Sequence, residues 1–473
     1  MICVKYYIMS KFSVIAAYLS STRGIGYAGR LPWNIPKDMK RFANVTKHSN
    51  IIMGRNTWES LPHTLPHRNN IVISRSQSQL GHKTVPNLNT ALDHCRNTYD
   101  GRTFVIGGEQ LYREAISHPS CDKLYLTEII SDMDYKCDTF FPEIPSHYKV
   151  IAEEEVEGDA ERLRFVTYQN MYDYTSDEYQ YVNLIRDIIV NGEYRQGRNG
   201  GVYTIFGPQH VFDLERGFPL LTTKKMFFRG IVEELLFFLR GNTDSRILED
   251  KGVRIWQGNT TREFLDQRGL HHYKEGDMGP MYGFLWRHFG AKYHGADHEK
   301  YDEGYDQLYH LLNDIVNEPF SRRLLLTTYD PSAVSKSVLA PCHGLTTQFS
   351  VSGDGRLHCK MYQRSVDVGL GYPFNIASYA ALIHIICEVT GLVPGRLIMT
   401  LGDTHIYENH VSALREQCKR VPYRFPKMRA LPPYRGQKNN VHEMIEYIES
   451  LSAQDFKMEE YMSHGRVKMD MVA

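Results

Sequence analysis

Over residues 356–364 apolar and polar side chains alternate. Leu357, Cys359, Met361 and Gln363 fall on one side and His358, Lys360, Tyr362 and Arg364 on the other, which predicts a strand. Leu370-Gly371-Tyr372-Pro373-Phe374-Asn375 then predicts a tight turn that sets the Asn375 amide at the mouth of the next helix. From Ile376 to Val389 the chain is nearly all apolar, too short to span a bilayer, and reads as a helix buried on almost every side. Helical spacing of Ile231, Leu235 and Phe238 predicts a helix over 230–240, with Glu234 at the border of its buried stripe and Glu233 pointing away. Another helix is expected over Glu178–Asn191.

Earlier in the chain, Phe12-Ser13-Val14-Ile15-Ala16-Ala17, Ile71-Val72-Ile73 and Leu163–Gln169 read as strands, and the acidic 153–161 stretch as a solvated hairpin region. Pro36 opens a helix on which Ile35, Asp38, Met39 and Phe42 share a face, so a carboxylate lies on an apolar stripe, where it is costly unless paired or used. Ile51-Ile52-Met53-Gly54 is a strand entering a helix at Gly54, and Val105-Ile106-Gly107-Gly108 a strand ending in two glycines before the helix Glu109–Ile116. Free N–H groups at such helix starts suit phosphates.

A chain of 473 residues is long enough for two domains, each with its own core. The formal net charge is zero, which argues against bulk nucleic-acid or membrane binding and leaves RNA binding a secondary activity at most. Eight cysteines without CxxC pairs imply reduced thiols, a cytoplasmic compartment and no metal site. Residues 1–10 are an apolar extension broken by Lys5, with no signal-peptide pattern following, and either Met1 or Met9 could start the chain. Residues 172–177 form a short polar hinge between domains 11–171 and 178–473.

Chemistry concentrates in residues 341–375. Cys342, presented by Pro341, is a candidate nucleophile, and the strand after it delivers Arg364 and Ser365, a guanidinium and a hydroxyl suited to a phosphate oxygen. A nearby arginine favours thiolate over thiol and lowers the cysteine pKa. Residues 340–379, with Pro341-Cys342-His343 and Gln363-Arg364-Ser365-Val366-Asp367, closely resemble thymidylate synthase. That resemblance implies that Cys342 attacks dUMP and that Asn375 reads the uracil edge. It also implies that Asp367 anchors the folate pteridine, that Glu234 relays protons and that Tyr282 handles a proton. The nucleotide would be held by Arg198, Gln363, Arg364, Ser365, His405 and Tyr407, and by Arg322 and Arg323 of a second copy in a homodimer. Ile255, Trp256, Gly371 and Phe374 would contact folate. The loop carrying Arg198 is one residue short of the family pattern, which makes Arg195 a possible substitute. Tyr329 replaces the usual tryptophan, and Glu460-Tyr461-Met462-Ser463-His464-Gly465 departs from the usual Gly-Tyr-x-Pro-His-Pro before the closing Met471-Val472-Ala473.

Residues 12–165 resemble dihydrofolate reductase, with Ile51–Trp58 and Val105–Gly108 as signatures. The resemblance implies that Asp38 binds the pteridine and promotes its protonation, with Ala17, Trp33, Phe42, Leu65 and Thr127 about the ring and Arg68 on the folate tail carboxylate. For NADPH it implies Ala17, Ile25, Gly54, Arg55, Asn56, Thr57, Ser74, Arg75, Ile106, Gly107, Gly108, Glu109 and Tyr112. His67 stands where the family usually has glycine. Two α/β domains follow: a doubly wound reductase-like sheet with helices on both faces, and a synthase-like α+β domain with a large mixed sheet at a two-fold interface. The expected activity is bifunctional, making dTMP from dUMP and 5,10-methylenetetrahydrofolate and reducing the dihydrofolate product with NADPH. The alternative is one active domain with the other kept as a scaffold.

Overall fold

The computed structural model describes residues 11–74, 83–98, 101–157, 161–197, 200–298, 301 and 303–470. Met1, Met9, Arg75, Arg198 and the closing 471–473 lie outside the described residues. The backbone divides into two compact units, Met1–Thr175 and Ser176–Ala473.

The first unit is built on an eight-stranded sheet in the order Lys83–Val85, Asn69–Ile73, Asn50–Gly54, Thr103–Gly107, Phe12–Leu19, Cys121–Ile130, Arg162–Asn170, Tyr148–Glu157. Pairing is parallel as far as Cys121–Ile130 and antiparallel over the last two strands. Period-two alternation divides each central strand between two cores. Phe12, Val14 and Ala16 pack with Leu88, Leu92, Leu111 and Ala115 from the helices Leu88–Thr98 and Glu109–Ile116. Ile15, Ile51 and Met53 pack on the other face with Phe42 and Trp58 from the helices Pro36–Thr46 and Arg55–Ser60. Helices thus cover both faces, as expected. The edge strand Tyr148–Glu157 is exposed along most of its length, in keeping with its acidic sequence.

The second unit carries a seven-stranded mixed sheet. Arg356–Asp367 and Val393–Tyr407 run parallel at its centre, joined by the helix Gly371–Thr390, and the remaining pairs are antiparallel. Leu357, Cys359 and Met361 face the helices, and Lys360 and Arg364 the opposite side, as their alternation predicts. The strand runs on to Asp367 and so holds Ser365 as well. The 371–390 helix is long and apolar enough to cross a membrane, but 78% of that stretch is buried inside the unit, which makes it a core helix.

One boundary differs from expectation. The segment 370–375 is not a free turn: the helix begins at Gly371, and Asn375 lies inside it, 6% exposed. Pro373 sits in the first turn, where no N–H is needed, and Asp367 Oδ1 accepts from the Gly369 and Leu370 N–H groups ahead of it.

Candidate active sites

In the first unit the parallel strands end at a cavity of about 1420 Å³. Gly54 and Gly107 close two of these strands, and Gly54 and Gly108 precede the helices Arg55–Ser60 and Glu109–Ile116. The opening therefore holds helix N-termini where a doubly wound sheet binds its ligands. A Cβ on Gly107 would come within 3.1 Å of Thr57 Oγ1, and one on Gly108 within 3.3 Å, so backbone there can approach a pyrophosphate as no side-chain-bearing residue could. Of the expected nicotinamide and folate contacts, Ala17, Ile25, Asp38, Phe42, Gly54, Arg55, Asn56, Thr57, Leu65, Ser74, Ile106, Gly107, Gly108, Glu109 and Tyr112 line this cavity. The residues present therefore fit a phosphorylated dinucleotide.

Trp33, Thr127 and Arg68 stand behind the lining. Trp33 is 7% exposed among Leu19, Ile35 and Leu163, with its Nε1 lacking a partner among the described residues. Thr127, 1% exposed, accepts from Arg41 Nη1 at 3.0 Å, and the nearby Asp38 carboxyl is pushed up by burial and pulled back by Thr127 and Arg41. Tyr112 shares its hydroxyl proton between the Ile15 and Ile106 carbonyls, at 2.9 and 2.7 Å, and so ties two neighbouring strands together. Arg68 donates to Thr46 Oγ1, Pro66 O and Ala43 O at 2.8, 2.8 and 3.0 Å. Three of its five N–H groups are used, which leaves one on each terminal nitrogen for a carboxylate. His67 takes φ 59°, the left-handed region, and this is the physical reason glycine is usual there. Met39, expected on the buried stripe, is 49% exposed and lines the cavity. Arg41 was missed by the sequence reading, although its place three residues after Asp38 on one helix was a usable signal.

In the second unit Cys342 lies beside Tyr282. The Tyr282 oxygen accepts from the Cys342 N–H at 3.0 Å and stands 3.3 Å from Sγ. With that N–H occupying a lone pair, the phenol proton is free to point at the sulfur. Tyr282 is stacked between Phe238 and His343, at 4.8 and 4.5 Å, and takes φ 41°, a strained value held by that stack. The Cys342 O accepts from the Arg364 N–H at 2.8 Å, so the nucleophile and the phosphate strand share a backbone bond. The expected lowering of the thiol pKa is overturned: burial raises it by more than Tyr282 and Arg364 lower it.

Glu234, 8% exposed, accepts from Trp256 Nε1 at 2.8 Å, and burial pushes it up to about 7. Glu233 points away and pairs with Lys251 at 2.7 Å. Gln363 Oε1 is buried without a partner among the described residues, an acceptor suited to a ligand donor. Ile255, Trp256 and Phe374 pack at the border of the core, and Gly371 opens the helix beside Asp367. His405 and Tyr407 project together from Val393–Tyr407, their rings 5.3 Å apart, with His405 Nδ1 3.1 Å from Asp403. Arg195 pairs with Glu193 at 2.6 Å. Arg322 and Arg323 are exposed, and the Arg322 carbonyl accepts from Gln348 Nε2 at 3.3 Å. Tyr329 is 37% exposed.

The C-terminal segment is docked despite its unusual sequence. Tyr461 donates to Leu221 O at 2.9 Å, the His464 N–H to Thr222 O at 2.8 Å and His410 Nε2 to Asp470 O at 2.7 Å. Thr222 and Thr223 are themselves held by four hydrogen bonds to the buried Glu178 carboxylate. Glu460 takes φ 60°, where relatives usually have glycine. Lys224, also missed, donates to Gly369 O at 2.6 Å and pins the turn after Asp367.

Comparison with known proteins agrees with both units. The family profile of thymidylate synthase matches residues 179–473 and that of dihydrofolate reductase residues 11–171. A bifunctional dihydrofolate reductase-thymidylate synthase of Zea mays is 40% identical, covering 95% of this chain and 94% of that protein. The Paramecium tetraurelia protein of the same name is also 40% identical, over 97% of this chain and 98% of its own length. That of Leishmania major is 39% identical, over 97% and 95%. Two candidate sites of unlike chemistry on one chain, and relatives of this name that match it over nearly its whole length, place this chain in the bifunctional dihydrofolate reductase–thymidylate synthase family.

Proposed function

We propose that one chain carries out both reactions of this family through the residues assembled above, with one active unit on each side of the 172–177 hinge. The observation that carries the synthase half is the Tyr282 oxygen 3.3 Å from Cys342 Sγ. Cys342 adds through Sγ to carbon 6 of dUMP, which makes carbon 5 nucleophilic toward the one-carbon unit of 5,10-methylenetetrahydrofolate. The Arg364 guanidinium and Tyr282 oppose the burial that pushes the thiol up. Asn375 can both donate to and accept from the uracil edge, which an ionised carboxylate could not. Gln363, Ser365, His405 and Tyr407 contact the nucleotide, and Asp367 and Trp256 the folate. Glu234, pushed up to about 7, is suited to shuttle a proton near neutrality.

Dihydrofolate leaving this site is the substrate of the first unit. There Asp38 supports protonation of the pteridine, Arg68 takes the tail carboxylate, and Gly54, Gly107, Gly108, Arg55 and Ser74 hold the phosphates of the nucleotide. NADPH supplies the hydride when bound.

The working form we propose is a homodimer. The sheet face away from the helices carries exposed Thr346, Gln348, Ser350, Lys360 and Arg364, and Phe206, which ends the strand Gly200–Phe206 of the same sheet, is 82% exposed. Arg322 and Arg323 border that face through the Gln348 bond, so a second copy docked there would receive two guanidiniums for its nucleotide phosphate. The compartment we propose is the cytoplasm.

The test is to incubate the full chain with dUMP and methylenetetrahydrofolate, with and without NADPH, and to quantify dTMP, dihydrofolate and tetrahydrofolate. Cys342→Ala is expected to abolish dTMP while added dihydrofolate is still reduced. Asp38→Asn is expected to make dTMP and accumulate dihydrofolate. A Cys342→Ala chain that still makes dTMP would overturn the assignment.

A further inference from the structure

Val393–Tyr407 runs between the strand that bears Arg364 and Ser365 and the hairpin that bears Arg195. Its register sets Asp403 opposite Ser365 and His405 opposite Asp367, and paired residues of neighbouring strands share a face. Thr404 and Ile406 are buried on the other face, so Asp403, His405 and Tyr407 stand on the side of Ser365 and Asp367.

Asp403 holds this row together. Its Oδ1 is 3.1 Å from His405 Nδ1 and 3.2 Å from Thr204 Oγ1, and its Oδ2 is 3.9 Å from Arg195 Nη1. A carboxylate accepts and does not donate, so the proton of the neutral His405 ring sits on Nδ1 and leaves Nε2 a bare lone pair. The Asp403 bond is the one hydrogen bond of that ring among the described residues, and Nε2 is left for a ligand. The Tyr407 ring stands edge-on to the imidazole, 5.3 Å away at 83°, and steadies its plane.

We propose that Asp403 is a positioning residue for the synthase reaction: by keeping the His405 proton on Nδ1 it makes Nε2 an acceptor for the sugar hydroxyl of dUMP, and so restricts the site to nucleotides whose 3′ oxygen carries a proton. This rests on the reading of the second unit as a synthase that holds its nucleotide with His405. The 3′-hydroxyl is the one sugar hydroxyl that dUMP has, since its 2′ position is deoxy and its 5′ oxygen is phosphorylated. It can give its proton to Nε2. A 3′-phosphate ester, or a nucleotide linked through its 3′ oxygen in an oligomer, has no such proton to give. The other oxygen of the carboxylate faces Arg195, so removing Asp403 also loosens the hairpin from the strand. A ratio between two nucleotides isolates the effect on the hydroxyl from that general loss.

The test is kcat/KM of the full chain for dUMP and for 2′,3′-dideoxyuridine 5′-monophosphate, which lacks the hydroxyl, at saturating methylenetetrahydrofolate. NADPH is left out, and dihydrofolate absorbance reports methylation of either nucleotide. Wild type, Asp403→Ala, Asp403→Leu and Asp403→Asn are compared, with two truncations so that one misfolding protein does not end the experiment. A merely structural role would lower both values together and leave their ratio unmoved. The expected wild-type preference for dUMP is about tenfold, falling at least about threefold in the Ala and Leu variants, where the ring is free to present either nitrogen. Asp403→Asn, whose amide oxygen still accepts from Nδ1, is expected to stay near wild type. A wild-type ratio near one, a ratio that survives in Ala and Leu, or one that falls as far in Asn as in Ala overturns the proposal and leaves Asp403 as a surface ion pair. A wild-type chain that makes no dTMP from dUMP would instead remove the synthase reading, and this inference with it.

Discussion

Asp38 and Glu234 are both carboxyls pushed up by burial, yet they stand in different kinds of site. Asp38 borders a cavity of about 1420 Å³ whose far wall is backbone, at strand ends and helix starts. Glu234, 8% exposed, is bonded to Trp256 at the margin of the largest core of the molecule, and its neighbour Tyr282 is locked in a ring stack. In the reductase unit the proposed nucleotide contacts include peptide groups at strand ends and helix starts, which one chain supplies by itself. In the synthase unit the proposed contacts are side chains projected from a mixed sheet, and part of that set, Arg322 and Arg323, stands exposed beside a polar, exposed sheet face. On the proposed reading, a site made of strand ends is complete when the sheet folds, whereas a site made partly of surface arginines would wait for a second copy.

The sharpest way to separate the two sites is Cys342→Ala, which should cut dTMP formation by at least about 10⁴-fold and leave reduction of added dihydrofolate at the wild-type rate. Mixing tests the contrast in completeness. Arg322→Ala/Arg323→Ala chains and Cys342→Ala chains should each be poor synthases. After subunit exchange the mixture should recover about a quarter of wild-type synthase activity, because half the dimers are mixed and each mixed dimer has one competent site. No recovery would mean that the arginines act within their own chain. Reduction should be untouched in every arm.

A smaller effect tests the burial of Glu234. Its carboxyl, ordinarily at 4.5 when exposed, is pushed up to about 7 in the folded chain, so between those values the folded state binds more protons than the unfolded one. Stability then falls as pH rises through that window. Glu234→Gln keeps an oxygen for Trp256 and should be more stable than wild type at pH 8 by roughly 2–3 kcal/mol, the gain vanishing below about pH 4.5. Denaturant midpoints at both pH values check this. The smallest effect concerns His67 and Glu460, which occupy left-handed backbone at φ 59° and 60°. Replacing either with glycine should stabilise its own unit by up to about 1 kcal/mol, read as a rise in the thermal midpoint, and a fall would place a stabilising side-chain contact at that position.

Much of the fold was legible because its signals are local. The alternation at Leu357, Cys359 and Met361, the helix opened by Pro36 and the strand-to-glycine endings at Gly54 and Gly107 are each decided within a few residues. The start of the helix at Gly371 was not, because the turn ahead of it is set by Asp367, which accepts from the Gly369 and Leu370 N–H groups that precede the helix. Among the site residues, Cys342, Arg364 and Asp38 stood out by type and neighbours. Lys224 and Arg41 did not, since a lone cation in sequence reads as solvated surface, and only a folded neighbour, the Gly369 carbonyl or the Thr127 hydroxyl, gives it a partner.

The sequence by itself determined which segments become strands and helices, which residues carry the chemistry, and which two families the halves resemble. All of these follow from short-range spacing and residue type. Tertiary structure alone decided the electrostatics. Whether the Cys342 thiol is raised or lowered and whether Glu234 titrates near neutrality depend on desolvation and on partners distant in the chain. Those quantities exist only once the surrounding atoms have displaced water.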